Sequence, residues 1–127
     1  MGVREYLDTI KSLDNKVELT KIGIEWVKRN IKYQGETEEY IKQIEGLEND
    51  IKLYIEELTG METYIIRKIL DIKDYEYQMV IIEREMMGKT WEEIAEDNGY
   101  VAQTLRNKHK KALVELSRLM EYDNKRR

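Results

Sequence analysis

The side chains best suited to chemistry lie close together near the C-terminal end of the chain, and they are amides, hydroxyls and cations. Guanidinium and amide groups match the edges of base pairs, arginine with guanine and glutamine or asparagine with adenine. Cations and hydroxyls match phosphates. The candidates for base contact are Gln103, Arg106, Asn107 and Lys110. The candidates for phosphate contact are Thr104, Lys108, Lys111 and Arg118.

An apolar stripe at helical spacing runs through the same segment and predicts which face points inward. Its members are Leu105, His109, Ala112, Leu116 and Met120. The candidates for base contact are expected on the opposite face of this helix. Because His109 is the only histidine and falls on the stripe, we interpret it as a packed structural residue.

Nothing in the composition favours an enzyme. The chain has no cysteine, which excludes disulfides, a thiol nucleophile and any cysteine-based metal site. The acids Glu92, Glu93 and Glu96 share one short segment, with no nucleophile, second histidine or phosphate-binding glycine loop to work with. We interpret them as capping and solvated residues, and expect no catalytic residue, metal or cofactor.

The residues before the cationic helix predict a second, shorter helix and a tight turn. Thr90 is a good N-cap, and Glu93 three residues later completes a capping box. Ala95 is small where a crossing helix must come close, and Gly99 suits the left-handed position that ends a helix. With Leu105 pointing back at the first helix, this spacing is typical of a helix-turn-helix, whose second helix enters the DNA major groove.

Charge is distributed unevenly along the chain. Residues 100–127 hold eight lysines or arginines and three acids, a net charge of +5, whereas the whole chain carries −4. Residues 1–99 therefore carry −9. A basic C-terminal quarter on an acidic protein indicates that nucleic acid would bind at this one part of the chain.

The N-terminal half shows two long apolar stripes with alternating spacings of three and four residues. They predict helices over residues 3–31 and from Thr37 to Asp71, with Gly35 in the turn. The stripe leaves open whether the second helix is continuous, and Gly60 is where a break or bend would fall. A third helix is expected from Tyr75 to Met87, capped by Asp74 and ended by Gly88. The residues expected on its inward face are Tyr75, Met79, Ile82 and Met86.

These patterns predict an all-α fold: a long antiparallel coiled-coil hairpin followed by a helix-turn-helix domain. The expected domains are residues 1–72 for oligomerisation or partner docking, residues 73–122 for DNA binding, and a basic flexible tail over residues 123–127. A homodimer is one option for the hairpin. The apolar flank expected to support it comprises Leu7, Trp26, Leu47, Tyr54 and Met61.

No apolar run approaches the ~20 residues that a membrane helix needs, and the N-terminus has no apolar signal core. The absence of proline and the presence of only seven glycines favour a helical protein with few sharp loops. We expect a soluble, cytoplasmic protein with no membrane partner.

Residues 72–116 resemble region 4 of sigma-70-type factors. The resemblance rests on Thr90-Trp-Glu-Glu-Ile-Ala95, on the glycine turn, and on Ala112-Leu-Val-Glu-Leu116. With the long hairpin before it, the chain is similar to small sigma-like proteins of phages and prophages of Gram-positive bacteria, grouped with the RinA-like and ArpU-like late-gene regulators. It departs from region 4 at Val101, where a serine cap is usual, and it lacks a region 2 equivalent.

The resemblance implies binding to double-stranded DNA through the last helix, and activation of phage packaging or lysis genes with host RNA polymerase. One alternative is a DNA-packaging component like a phage small terminase subunit, although those proteins usually place the DNA-binding unit first. Another is a coiled-coil adaptor that binds polymerase or a second regulator without contacting DNA.

Overall fold

A computed structural model describes the backbone of residues 1–126 and the side chains of residues 1–123. This part of the chain is all-helical, as predicted, and contains no strand. The elements are α1 (Val3–Gln34), α2 (Glu38–Leu70), α3 (Tyr75–Ile81) with a π-helical turn (Ile82–Met86), α4 (Trp91–Asn98) and α5 (Ala102–Arg126). Most of the basic tail expected over residues 123–127 lies outside the described side chains.

Two compact units divide the chain: residues 8–63 form one, and residues 1–7 together with the chain from residue 64 onward form the other. The second unit therefore includes residues 1–7 and 64–72, which the sequence analysis assigned to the hairpin. The start of α1 and the end of α2 belong to the compact unit that holds α3, α4 and α5.

In the unit of residues 8–63, α1 buries much of its predicted stripe. The buried residues are Ile10, Leu13, Val17 and Ile24 on α1, with Leu58 on α2. The ammonium of Lys16 lies 4.7 Å from the centroid of the Tyr54 ring, which joins the two helices. Ile41 and Ile55, two members of the apolar stripe that predicts the second helix, are exposed instead. A strict heptad stripe drifts by about 20° per repeat on a straight helix, which moves its members off the contact line.

The second helix is continuous through Gly60, since α2 runs from Glu38 to Leu70. A glycine costs about 1 kcal/mol in a helix interior, and burial of Leu58 and Ile65 on either side of it offsets that cost. The Thr37 cap is confirmed by a hydrogen bond from the Tyr40 amide to its hydroxyl. The proposed dimer flank was wrong in one member, since Leu7 is buried within the chain.

The core of the second unit is built around α5. Its fully or nearly fully buried side chains are Ile65, Ile69, Ile72, Val80, Ile81, Ile94, Leu105, Ala112, Leu116 and Met120. Both α3 and α4 pack against α5. The inward stripe predicted for α5 is thus confirmed at its four apolar positions. Among the described residues, no helix combines the length and the apolar character needed to cross a membrane.

The face predicted for the third helix was wrong at Tyr75, while its other members, Met79, Ile82 and Met86, are half-buried. Asp74 caps it and Gly88 follows it at a φ of +69°, as expected. However, Tyr75 is exposed, whereas Val80 and Ile81 are buried. From Ile82 the backbone is π-helical, and the wider turn rotates only the side chains that follow it, among them the buried Glu85.

Candidate nucleic-acid interface

The start of α4 has the capping box that its sequence predicts. The Thr90 hydroxyl accepts a hydrogen bond from the Glu93 amide at 3.1 Å, and the Glu93 carboxylate accepts one from the Thr90 amide at 3.1 Å. At the other end, Gly99 adopts left-handed angles, φ 71° and ψ 31°. The Tyr100 amide then donates to the Ala95 carbonyl at 3.0 Å. These bonds fix the turn that leads into α5.

Burial fixes how α5 lies against α4. Ile94 and Leu105 have no exposed surface, and Ala95 is half-buried between the helices. The buried side of α5 is therefore committed to the core over its first turns. The side that faces away from this core is free to meet a large ligand.

Two amides stand on the exposed side near the start of α5. The Gln103 side chain donates a hydrogen bond to the Asn107 side-chain oxygen at 3.3 Å, one helical turn away. Both residues are exposed, and so are Thr104, Lys110 and Lys111. This group comprises five of the eight residues that the sequence analysis selected, brought onto one surface.

Arg106 occupies the edge of this surface rather than its centre. Its guanidinium lies 3.9 Å from the Glu92 carboxylate of α4, and its side chain is 44% exposed. At 100° per residue, Arg106 stands about a quarter-turn from the buried side, whereas Asn107 stands nearly opposite it. The expectation that Arg106 projects directly away from the core was therefore wrong. The Arg106 guanidinium lies toward the Glu92 carboxylate of α4.

Lys108 lies in an ion pair with Glu76 of α3, and the Tyr100 hydroxyl donates to the same carboxylate at 2.5 Å. The hydrogen bond from Lys108, followed by that from Tyr100, holds the pKa of Glu76 below its usual range. The same carboxylate raises the pKa of Lys108 and of Tyr100. Lys108, expected to bind phosphate, thus ties the start of α5 to α3.

Arg118 lies further along α5 and is paired with Glu115, with its Nη2 atom 2.5 Å from the carboxylate. This pairing raises the pKa of Arg118 and lowers that of Glu115. The distance from residue 102 to residue 118 along the helix is about 24 Å at ~1.5 Å per residue. Arg118 is therefore the most remote of the eight candidates from the start of α5.

A buried carboxylate behind α5 escaped the sequence analysis. The Glu85 side chain is 3% exposed and accepts two hydrogen bonds from Arg4, at 2.8 and 2.7 Å. The His109 Nε2 atom lies 3.1 Å from the same carboxylate. Glu85 thus joins the start of α1 and the π-helical turn to α5. No signal in the sequence singles it out: the segment from Val80 to Met87 is apolar at five of eight positions but also holds Glu83 and Arg84.

Aromatic contacts complete the support of His109. The Trp91 ring meets the His109 ring edge-on at 5.1 Å between centroids. The Arg84 guanidinium lies 4.7 Å from the centroid of Trp91, on the π-helical turn side. His109 is therefore packed between an indole and a carboxylate, which agrees with the structural role predicted for it.

The charges around the exposed surface have both signs. Glu92, Glu93 and Glu96 of α4 are exposed near the basic start of α5. Within the described part of the chain, no three His, Cys, Asp or Glu side chains are grouped so as to hold a metal ion. The arrangement offers hydrogen-bonding amides and cations on a rigid helix, which suits non-covalent recognition.

Comparisons with known proteins add no identification: no protein-family model, no curated protein and no solved structure matches this chain.

Proposed function

We propose that the chain is a sequence-specific DNA-binding protein that lays the start of α5 in the major groove. One observation carries this proposal: Gln103 and Asn107 are exposed on the outer side of α5 while Leu105, between them, is completely buried. A rigid helix that presents paired amides is the usual means of direct base contact.

Each exposed side chain has a role in this proposal. Asn107 is positioned by Gln103 and would bind adenine through its amide. Arg106 would bind guanine once it leaves Glu92. Lys110 would contact a further base edge, while Thr104 and Lys111 would contact phosphates on the flanks. Lys108 would act indirectly, because it is already paired with Glu76.

The resemblance to sigma region 4 suggests the biological setting. We propose a transcriptional regulator of phage or prophage origin that acts on late genes with host RNA polymerase. In this proposal α1 and α2 form an antiparallel hairpin that docks a partner or a second copy. Residues 1–72 hold 11 lysines or arginines and 15 acids, a net charge of −4, so this segment would be repelled by phosphates. The α4–turn–α5 segment serves as the helix-turn-helix.

The test measures binding to a duplex selected from random sequence and to a scrambled duplex of equal length. Asn107→Ala and Arg106→Ala should each lose about 1–3 kcal/mol on the selected duplex and much less on the scrambled one. Lys111→Ala should weaken both duplexes equally, because phosphates are common to them. Lys42→Ala, which removes an exposed lysine of α2, is the matched control and should change neither.

Salt titration supplies a second readout. With ~4–6 phosphate contacts, the log–log slope of affinity against salt should be about −4 to −5. A flat response, or equal losses on both duplexes for Asn107→Ala and Arg106→Ala, would contradict the proposal. Ring-sized particles in solution would instead favour the terminase-like alternative.

A further inference from the structure

The start of α5 differs from the other capped helix starts of the chain. The side chains of Thr37, Asp74 and Thr90 each accept a backbone hydrogen bond at the start of their helices. The residue before α5 is Val101, whose side chain has no acceptor. A helix begins less favourably after valine than after serine or threonine, so this choice lowers the stability of α5.

Packing does not compensate for the missing cap. The Val101 side chain is 69% exposed, although burial of an apolar side chain would stabilise the fold. Its backbone is nevertheless held firmly: the Leu105 amide donates to the Val101 carbonyl at 3.2 Å, and the preceding Tyr100 is bonded to Ala95 and Glu76. A rigid backbone therefore presents an apolar side chain to whatever meets the start of α5.

The position of Val101 in the chain determines which groups it would meet in the proposed complex with DNA. It precedes Gln103 by two residues and Asn107 by six, on the end of α5 that would enter the groove first. Base edges in the major groove present hydrogen-bonding groups and one prominent apolar group, the 5-methyl of thymine. A polar side chain at this position would gain nothing from that methyl group.

We propose that Val101 contacts the 5-methyl group of a thymine next to the base pair bound by Gln103, and so selects A·T pairs at that position. This inference rests on the proposed DNA binding, and it adds an apolar specificity contact to the hydrogen-bonding ones. An exposed valine could also meet a protein partner, and the experiment separates the two occupants.

The experiment uses the full chain and the selected duplex, with each thymine replaced in turn by deoxyuridine. This change removes one methyl group and leaves every hydrogen-bonding group in place. For the wild type, one position should show a loss of about three- to tenfold, as expected for one buried methyl group. Val101→Ala should bind the thymine duplex that much more weakly and should no longer distinguish thymine from uracil at that position.

Two further variants separate contact from helix stability. Val101→Ser supplies a cap, so it should raise the unfolding temperature yet lose the discrimination. Val114→Ala removes another exposed valine of α5, 71% exposed and more than three turns away, and should keep the discrimination.

Three results would overturn the inference: a wild type indifferent to uracil at every position, discrimination that survives in Val101→Ala, or its loss in Val114→Ala. If Asn107→Ala still loses affinity on the selected duplex, only this inference fails. If no salt-sensitive duplex binding is found, the proposed function fails and the inference falls with it. A Val101→Ala defect seen only with a protein partner present would assign the residue to that partner.

Discussion

Glu85 offers the sharpest test of how the second unit is held together. The change is Glu85→Gln, which keeps the size of the side chain and removes its charge. The carboxylate now accepts hydrogen bonds from both terminal nitrogens of Arg4 and lies 3.1 Å from His109 Nε2. The glutamine has one oxygen to accept these hydrogen bonds, and its NH2 group, which is itself a donor, then faces an N–H of Arg4.

The expected cost follows from burial. A hydrogen bond to a charged group contributes about 1.5–3 kcal/mol, and breaking a fully buried ion pair costs about 3–5 kcal/mol. The Glu85 side chain is 3% exposed, but that of Arg4 is 47% exposed and can be rehydrated. We therefore expect Glu85→Gln to lower the free energy of unfolding by about 2 kcal/mol, less than for a fully buried ion pair. For a chain of this size the melting temperature should fall by about 5–10 °C.

Thermal and urea unfolding followed by circular dichroism measure this loss. Arg4→Met should cost at least as much, about 2–3 kcal/mol, because it leaves a nearly fully buried carboxylate without that cation. The double variant should cost clearly less than the two single losses combined, because the residues share one interaction. Glu115→Gln breaks an exposed pair on α5 and should leave the melting temperature unchanged. A Glu85→Gln protein as stable as the wild type, or additive losses with Arg4→Met, would show that this contact does not hold the unit together.

Two further predictions concern the surface of α5. Glu76→Gln should destabilise the protein by a constant amount between about pH 5 and pH 9. The lowered pKa of Glu76 means that its ion pair with Lys108 is lost only in acid, and the raised pKa of Lys108 means that the pair is lost only in alkali. A stability difference between variant and wild type that grows below about pH 4, measured by unfolding at each pH, would refute this. Glu92→Gln should tighten duplex binding about two- to fivefold at low salt, since it releases Arg106 and removes a negative charge; unchanged affinity in the same titration would place Glu92 outside the interface.

Local chemistry explains which features the sequence could predict. The caps at Thr37, Asp74 and Thr90 and the turn at Gly99 depend on a few neighbouring residues, and each is found where expected. The apolar stripe of α5 depends on helical periodicity, and it is buried as predicted. Spacing was sufficient for these features but not for every stripe, since Ile41, Ile55 and Tyr75 are exposed.

Features that depend on tertiary packing could not be predicted in this way. The π-helical turn after Ile81 has no local signature, and it changes which residues of that segment are buried. The continuity of α2 through Gly60 depends on burial to either side of the glycine rather than on helix propensity. The partners of Glu85 are distant in sequence, 81 residues away for Arg4, so no periodic pattern could identify them.

The ion pairs on α5 change what its charge means for recognition. Of the cations counted from the sequence, Lys108 is paired with Glu76 and Arg118 with Glu115, while Arg106 lies beside Glu92. Charge already engaged with a carboxylate attracts phosphate less, because the pair must be separated first. The field at the start of α5 is therefore weaker than a net charge of +5 for residues 100–127 suggests. Under the proposed function, non-specific affinity should be modest, and discrimination should depend mainly on the amides and the exposed valine at the start of the helix.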